Sequence, residues 1–203
     1  MSESLEFTGA TIVGLVYEGG VVLAGEKRVA LGNYLLSKAG KKVFKVLDNV
    51  GIASAGLLAD MQAISKIFAA ELRMYELINK RLPSIRSAAK LLSNILYSRK
   101  YFPYLTTILV GGIDSSGPHL YSLDPIGSLI EDKYVTLGSG AELSLSILES
   151  EYNEKLAKSE AVELAYKSVK IACGRDVLSG DGVDMLVIDS QGVEELFRPL
   201  KSI

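Results

Sequence analysis

Apolar and polar positions change period along the chain, and the changes mark its elements. Residues 11–16 and 21–24 are β-rich runs separated by Glu18-Gly19-Gly20, which predicts a hairpin. A less regular stretch follows from Gly32 to Gly40. Residues 42–46, the turn Asp48-Asn49 and the small-residue run 50–55 predict a second hairpin, with its return strand buried on both faces. From Leu57 the period lengthens to three and four. Met61, Ile64, Phe68, Leu72, Tyr75 and Ile78 share one face of a long amphipathic helix. Pro83 is expected to end it and to open the next helix, whose stripe is Ala88, Leu91, Leu92, Ile95 and Leu96.

A second β block covers residues 105–110, turns at 115–117, continues over 119–123 and adds strand to about residue 136. Helical patterns run over about 141–152 and 159–174, and Ser139 stands at capping-box spacing from Glu142. A strand at 183–188 closes the series. Strands and helices come in groups, with no low-complexity linker or internal repeat. This order predicts an α+β fold, a four-layer αββα sandwich in which two helix pairs cover two stacked sheets.

Composition narrows the chemistry. The 203 residues include one His and one Cys, too few for a His/Cys zinc cluster or a C-x-x-C redox pair. No metal or cofactor is expected, and any Ser-His relay would have to pass through His119. With 22 basic and 24 acidic residues, the formal net charge of -2 gives no footprint for nucleic acid or an anionic membrane. The basic stretches 41–45 and 80–86 are short and read as solvated faces. The N-terminus lacks a secretory pattern, no apolar run has spanning length, and the lone Cys173 fits a reducing cytoplasm. A mean hydropathy of +0.26 is high for a chain without a membrane span and hints at subunit contacts.

Four places could carry chemistry. Ser139 and Ser179 are serines beside glycine at element ends; taken alone, each reads as an ordinary turn. There is no G-x-S-x-G elbow and no phosphate-cradling Walker sequence. Glu26 ends one strand and Lys41-Lys42 begins another, which makes either a rim salt bridge or a lysine held charged beside a nucleophile whose amine it depresses. Asp176 follows a helix and precedes Ser179 by three residues, as a helix-end hydrogen-bond partner would.

The runs Thr11-Ile12-Val13-Gly14, Val22-Leu23-Ala24-Gly25-Glu26-Lys27-Arg28, Lys41-Lys42, Ser54-Ala55-Gly56, Leu91-Leu92-Ser93-Asn94-Ile95-Leu96 and Phe102-Pro103-Tyr104 resemble archaeal proteasome β subunits. The likeness continues through Leu109-Val110-Gly111-Gly112-Ile113-Asp114, Tyr121-Ser122-Leu123-Asp124-Pro125, Gly138-Ser139-Gly140, Arg175-Asp176 and Ser179-Gly180. It spans residue 10 to about 188, and its strength lies in the number of motifs in the right order.

The resemblance implies an N-terminal nucleophile hydrolase: a propeptide is cut before a threonine, whose hydroxyl attacks the peptide carbonyl while its freed α-amine is the general base. An ordinary α-amine titrates at about 7.7 to 8.0, near the optimum for such a base. Carried over by position, Lys42 depresses the amine, Glu26 holds Lys42, the Gly56 N–H is the oxyanion donor, and Ser139, Asp176 and Ser179 orient amine and water. Val29, Ala30, Gly40, Phe44, Ser54 and Leu58 would wall a small to medium, mainly apolar substrate pocket. Ala30 stands where the family usually has threonine and Ser54 where a larger apolar residue is common; main-chain pairing with substrate survives Ala30.

The nucleophile position is the departure. It falls on Ala10, preceded by Gly9, so residues 1–9 are the implied propeptide and 10–203 the single mature domain. Making Thr11 the nucleophile would displace every later match by one. Alanine has no oxygen with which to attack, so the chain is expected to be inactive and unprocessed. Retention of Glu26, Lys42, Gly56, Ser139, Asp176 and Ser179 favours a deliberate Thr-to-Ala replacement over the alternative, a naturally noncatalytic subunit of a mixed ring. A different N-terminal nucleophile amidohydrolase acting on small amides is the remaining alternative. The implied partners are proteasome α subunits, other β subunits in seven-membered rings, in the mixed-ring case a second β type, and unfolded polypeptides delivered by an ATPase. Residues 97–104 and the long helix would add ring contacts or simply pack within the chain.

Overall fold

A computed structural model describes residues 9–32 and 34–200. Most of the predicted propeptide therefore lies outside the described residues. The first hairpin pairs β1 (Thr11–Tyr17) with β2 (Gly20–Glu26), in register from Ile12 opposite Gly25 to Tyr17 opposite Gly20. After β3 (Val29–Leu31) and β4 (Tyr34–Ser37), the second hairpin is β5 (Val43–Leu47) with β6 (Val50–Gly56). The helices α1 (Leu58–Asn79) and α2 (Ile85–Ser98) follow. The second β block comprises β7 (Thr106–Asp114), β8 (Gly117–Leu123), β9 (Leu129–Glu131) and β10 (Tyr134–Gly138). Last come α3 (Ala141–Glu151), α4 (Lys158–Cys173), β11 (Val183–Asp189) and β12 (Gly192–Arg198).

Two antiparallel five-stranded sheets result, ordered β10-β1-β2-β11-β12 and β5-β6-β7-β8-β9, with β3-β4 as a separate hairpin. Three apolar clusters separate four layers. Ile12, Leu23, Ala53, Leu109 and Leu186 lie between the sheets. Val13, Leu15, Val22 and Val187 face Leu148, Ala165 and Val169 of α3 and α4. Ile52, Ile108 and Val110 face Phe68, Leu72, Leu92 and Leu96 of α1 and α2. The central strands β1, β2 and β6 are therefore buried on both faces, and the expected αββα sandwich is what the chain forms. The sheets approach closely: a Cβ at Gly14 would stand 2.8 Å from Leu120 Cδ1.

Five local expectations are corrected. The stretch 32–40 is not wholly irregular, because β4 pairs with β3. The helix stripe fails at its end: Ile78 is 72% exposed, since a 22-residue helix runs about 33 Å against about 23 Å for a seven-residue strand. Pro83 does not end α1, which stops at Lys80 in a left-handed conformation, nor does it sit in the first turn of α2, whose N-cap is Ser84. Ser139 caps no helix; the N-cap of α3 is Gly140. Finally, 183–188 does not close the series, because β12 returns along β11 as an edge strand.

Candidate active site

One end of the sandwich gathers the start of β1, the end of β2, the start of β5, the end of β6 and the loops that follow β10 and α4. Glu26 is the last residue of β2 and Lys42 immediately precedes β5; their side chains are 0% and 2% exposed. Lys42 Nζ donates to Glu26 Oε1, to Arg28 O at 2.7 Å and to Gly9 O at 3.3 Å. All three ammonium protons are thereby used. Glu26 Oε2 accepts from the Arg28 and Gly180 N–H groups at 2.6 and 3.0 Å. Burial pushes the Glu26 carboxyl above its ordinary value, while Lys42 and the two amides pull against it. The pair is a buried ion pair, not the rim salt bridge that spacing alone allowed. Lys41 is the rim residue, paired at 3.1 Å with the exposed Glu195.

A second polar chain meets the first at residue 10. Asp176 Oδ2 lies 2.5 Å from Ser139 Oγ and 2.6 Å from Ser179 Oγ, and the Leu178 N–H holds Oδ1 at 3.1 Å. A hydroxyl has one proton, and the carboxylate is the stronger acceptor. Ser179 therefore donates to Asp176 and accepts from Thr11 Oγ1 at 2.7 Å. Ser139 Oγ also lies 3.2 Å from Ala10 O, a carbonyl that the Gly140 N–H approaches at 3.4 Å. The Ala10 side chain at the junction of these two networks is 1% exposed and is only a methyl.

Gly56 closes the site. Its φ is +135°, and a Cβ there would stand 2.2 Å from Leu105 O and 2.8 Å from Thr106 Cα, so no other residue fits. It shares with Ala10 a cavity of 390 Å³ walled by Ala55, Leu105, Thr106, Pro125 and Leu178. None of the six residues expected to wall a substrate pocket lines this cavity. Val29 and Ala30 are buried on β3, and the buried Gly40 donates its N–H to Lys27 O. Ser54 is buried on β6 with its N–H on Lys42 O; Phe44 packs toward α1 and α2, and Leu58 begins α1. The lining of this cavity also includes Thr107 of β7, Gly138 and Ser139.

Sequence reasoning placed Glu26, Lys42, Gly56, Ser139, Asp176 and Ser179 beside position 10, and the structure brings all six together. It missed Thr11 as a buried member of the hydroxyl chain, and Arg28 and Gly180 as main-chain partners of Glu26 and Lys42. The available signal was adjacency: Thr11 follows the nucleophile position, and Gly180 follows Ser179. His119 is remote from the site, bonded to Ser116 Oγ and to Glu131 Oε1 at 2.8 and 2.6 Å. Among the described residues, no helix is long and apolar enough to cross a membrane.

The arrangement can hold a cation and a hydrogen-bonded carboxylate on either side of residue 10, beside a peptide carbonyl. That is a frame for nucleophilic attack from residue 10 itself. Comparisons with known proteins give the family. A family model described as proteasome subunit matches residues 6–188. The chain is 54% identical to proteasome subunit beta 2 of Thermofilum pendens, over 98% of each chain. It is 51% identical to proteasome subunit beta 2 of Pyrobaculum neutrophilum, over 92% of each chain. With proteasome subunit beta 1 of Ignicoccus hospitalis the identity is 52%, over 91% of this chain and 92% of that one. A family model covering most of the chain and relatives at half identity along nearly all of it show that this chain belongs to the proteasome subunit family, as an archaeal β-type subunit with the N-terminal nucleophile hydrolase fold.

Proposed function

We propose that this chain occupies a β position in the proteasome core particle, a threonine peptidase that degrades unfolded polypeptides, and that as written it holds an assembled site without cutting. The observation that carries the reading is a complete frame around a side chain with no oxygen. Lys42 donates to the carbonyl of Gly9, the peptide that processing would break, and Asp176 with its hydroxyls surrounds residue 10. A threonine there would present Oγ within this frame, with the Gly56 N–H as oxyanion donor. The Ala10 methyl can neither attack Gly9 C nor undergo the acyl shift that frees the α-amine, so nucleophile and base are lost together. By analogy with other nucleophile deletions the deficit is about 10⁶ in turnover, or roughly 8 kcal/mol of barrier.

The rest of the reading follows from the family. Residues 1–9 are a propeptide that this chain cannot remove by itself, and 10–203 form the ring subunit. The subunit sits in seven-membered rings against α rings, in the cytoplasm, and receives unfolded chains from an ATPase. The intact frame favours a replaced threonine. The numbers 1 and 2 in the names of the relatives support a second reading, in which this is a naturally silent subunit beside a catalytic β type.

The test is hydrolysis of an apolar fluorogenic peptide by particles assembled with α subunits from this chain or from its Ala10→Thr variant. Activity confined to the variant is expected. Equal activity in both, or none in either, would overturn the proposal. The codon at position 10 of the native gene separates the two origins of Ala10.

A further inference from the structure

The loop between α4 and β11 carries Asp176 and Ser179, so its placement decides whether they reach residue 10. Four contacts tie it to the end of β2. Lys27 N–H donates to Gly180 O at 3.1 Å, and Gly180 N–H to Glu26 Oε2 at 3.0 Å. The Arg28 side chain supplies the other two. Its Nη1 donates to Val177 O at 2.8 Å, and its Nε to Asp181 Oδ2 at 2.9 Å, with Nη2 3.5 Å from Oδ1.

Asp181 has a φ of +70°, a conformation in which glycine is unstrained and an L side chain is rarely found. Its carboxylate is held there by the Arg28 side chain. Its side chain is only 9% exposed and faces the guanidinium. A Cβ at Gly180 would fall 2.4 Å from Arg28 Nη2, so the guanidinium lies directly against the loop backbone. The Arg28 main chain is already engaged at the site: its N–H serves Glu26 and its carbonyl serves Lys42. One residue thus ties both halves of the frame together.

We infer that Arg28 and Asp181 are a positioning pair that registers the Asp176–Ser179 loop against Glu26 and Lys42, and so sets turnover of a threonine-bearing site without touching substrate. This rests on the proposed function. Its test uses particles assembled with α subunits and carrying Ala10→Thr, alone or with Asp181→Gly, which keeps the turn and relieves its strain while removing the carboxylate. A displacement of about 1 Å can lower turnover about 10²-fold, so kcat should fall roughly 10- to 100-fold with KM within about twofold. The exposed-pair variant Glu195→Gln should match the parent. If Asp181→Gly particles fail to assemble by native mass spectrometry, Arg28→Lys keeps the charge without the fork and should show the same fall in kcat. Unchanged kcat in the assembled variant, or equal losses in kcat and in substrate affinity, overturns the inference. A parent that does not hydrolyse at all overturns the proposed function, and the pairing role with it.

Discussion

Replacing Lys42 by methionine keeps the stem and removes the ammonium, and the buried ion pair fixes what should follow. Glu26 would keep the Arg28 and Gly180 N–H donors on Oε2 but lose its partner on Oε1. Leaving one member of a buried pair unmatched costs about 3–5 kcal/mol. A carboxyl can escape by taking a proton, which it would then donate from Oε1 to the carbonyl of Gly9 or Arg28 that Lys42 vacates. Starting from an ordinary glutamate near 4.3, protonation at pH 7 costs about 2.7 × 1.36, or roughly 3.7 kcal/mol, which caps the loss. For a chain of this size each kcal/mol is worth about 2–4 °C, so Tm should drop by about 7–15 °C. The sign with pH is also set. The folded variant holds a proton that the unfolded chain has released, so the deficit shrinks as pH falls from 7 toward 5, by about 1.4 kcal/mol per unit. Melting curves of the variant and parent at pH 7, 6 and 5 supply both numbers. A Tm within about 2 °C of the parent at pH 7, or a deficit that ignores pH, would refute the reading of Lys42–Glu26 as a coupled buried pair.

Gly56→Ala should destabilise the chain by more than about 1–3 kcal/mol, the range for backbone strain alone, because its methyl also meets Leu105 O; chemical denaturation measures it. Asp114, Asp124 and Asp189 titrate below the usual range. Burial would raise each of them, but hydrogen bonds from Ser116 and the Ile85 N–H, from Ser128, and from the Gln191 N–H and Lys158 outweigh it. Their stabilising contribution is complete above an ordinary aspartate value of about 3.9 and is lost as pH falls through the folded values, so Tm should decline below about pH 4 and decline less steeply in Asp189→Asn. The Cys173 thiol is pushed up to about 12, first by burial and then by Glu26. Its alkylation at pH 8 should be at least about 10³-fold slower than that of a free thiol, and a rate near the free value would contradict that environment.

The hairpins and helices were legible because their apolar residues recur at periods of two and of three to four. β12 was not: Glu194 and Glu195 stand side by side and exposed, breaking the alternation of an edge strand. β3 and β4 were blurred because Leu31, Tyr34, Leu35 and Leu36 are apolar yet exposed, so no face shows in the pattern. In the site, each polar residue carried a plausible local role. Ser139 with Glu142 has capping spacing, yet Asp176 takes the hydroxyl from 37 positions away, because a charged acceptor is the stronger one. Thr11 meets Ser179 across 168 positions, a contact that no local period encodes. Convergence of the site was visible only through resemblance. The expected pocket walls, Val29, Ala30, Gly40, Phe44, Ser54 and Leu58, likewise came from matched positions alone, and the cavity beside Ala10 is lined by other residues.

The most direct test of the central claim is the intact mass of this subunit in assembled particles, as written and as Ala10→Thr. The account predicts that the variant loses residues 1–9 and begins at residue 10, while the parent retains them in particles with no other active β subunit. A variant that keeps residues 1–9, or a parent that sheds them unaided, would show that the oxygen missing from Ala10 is not what holds this site silent.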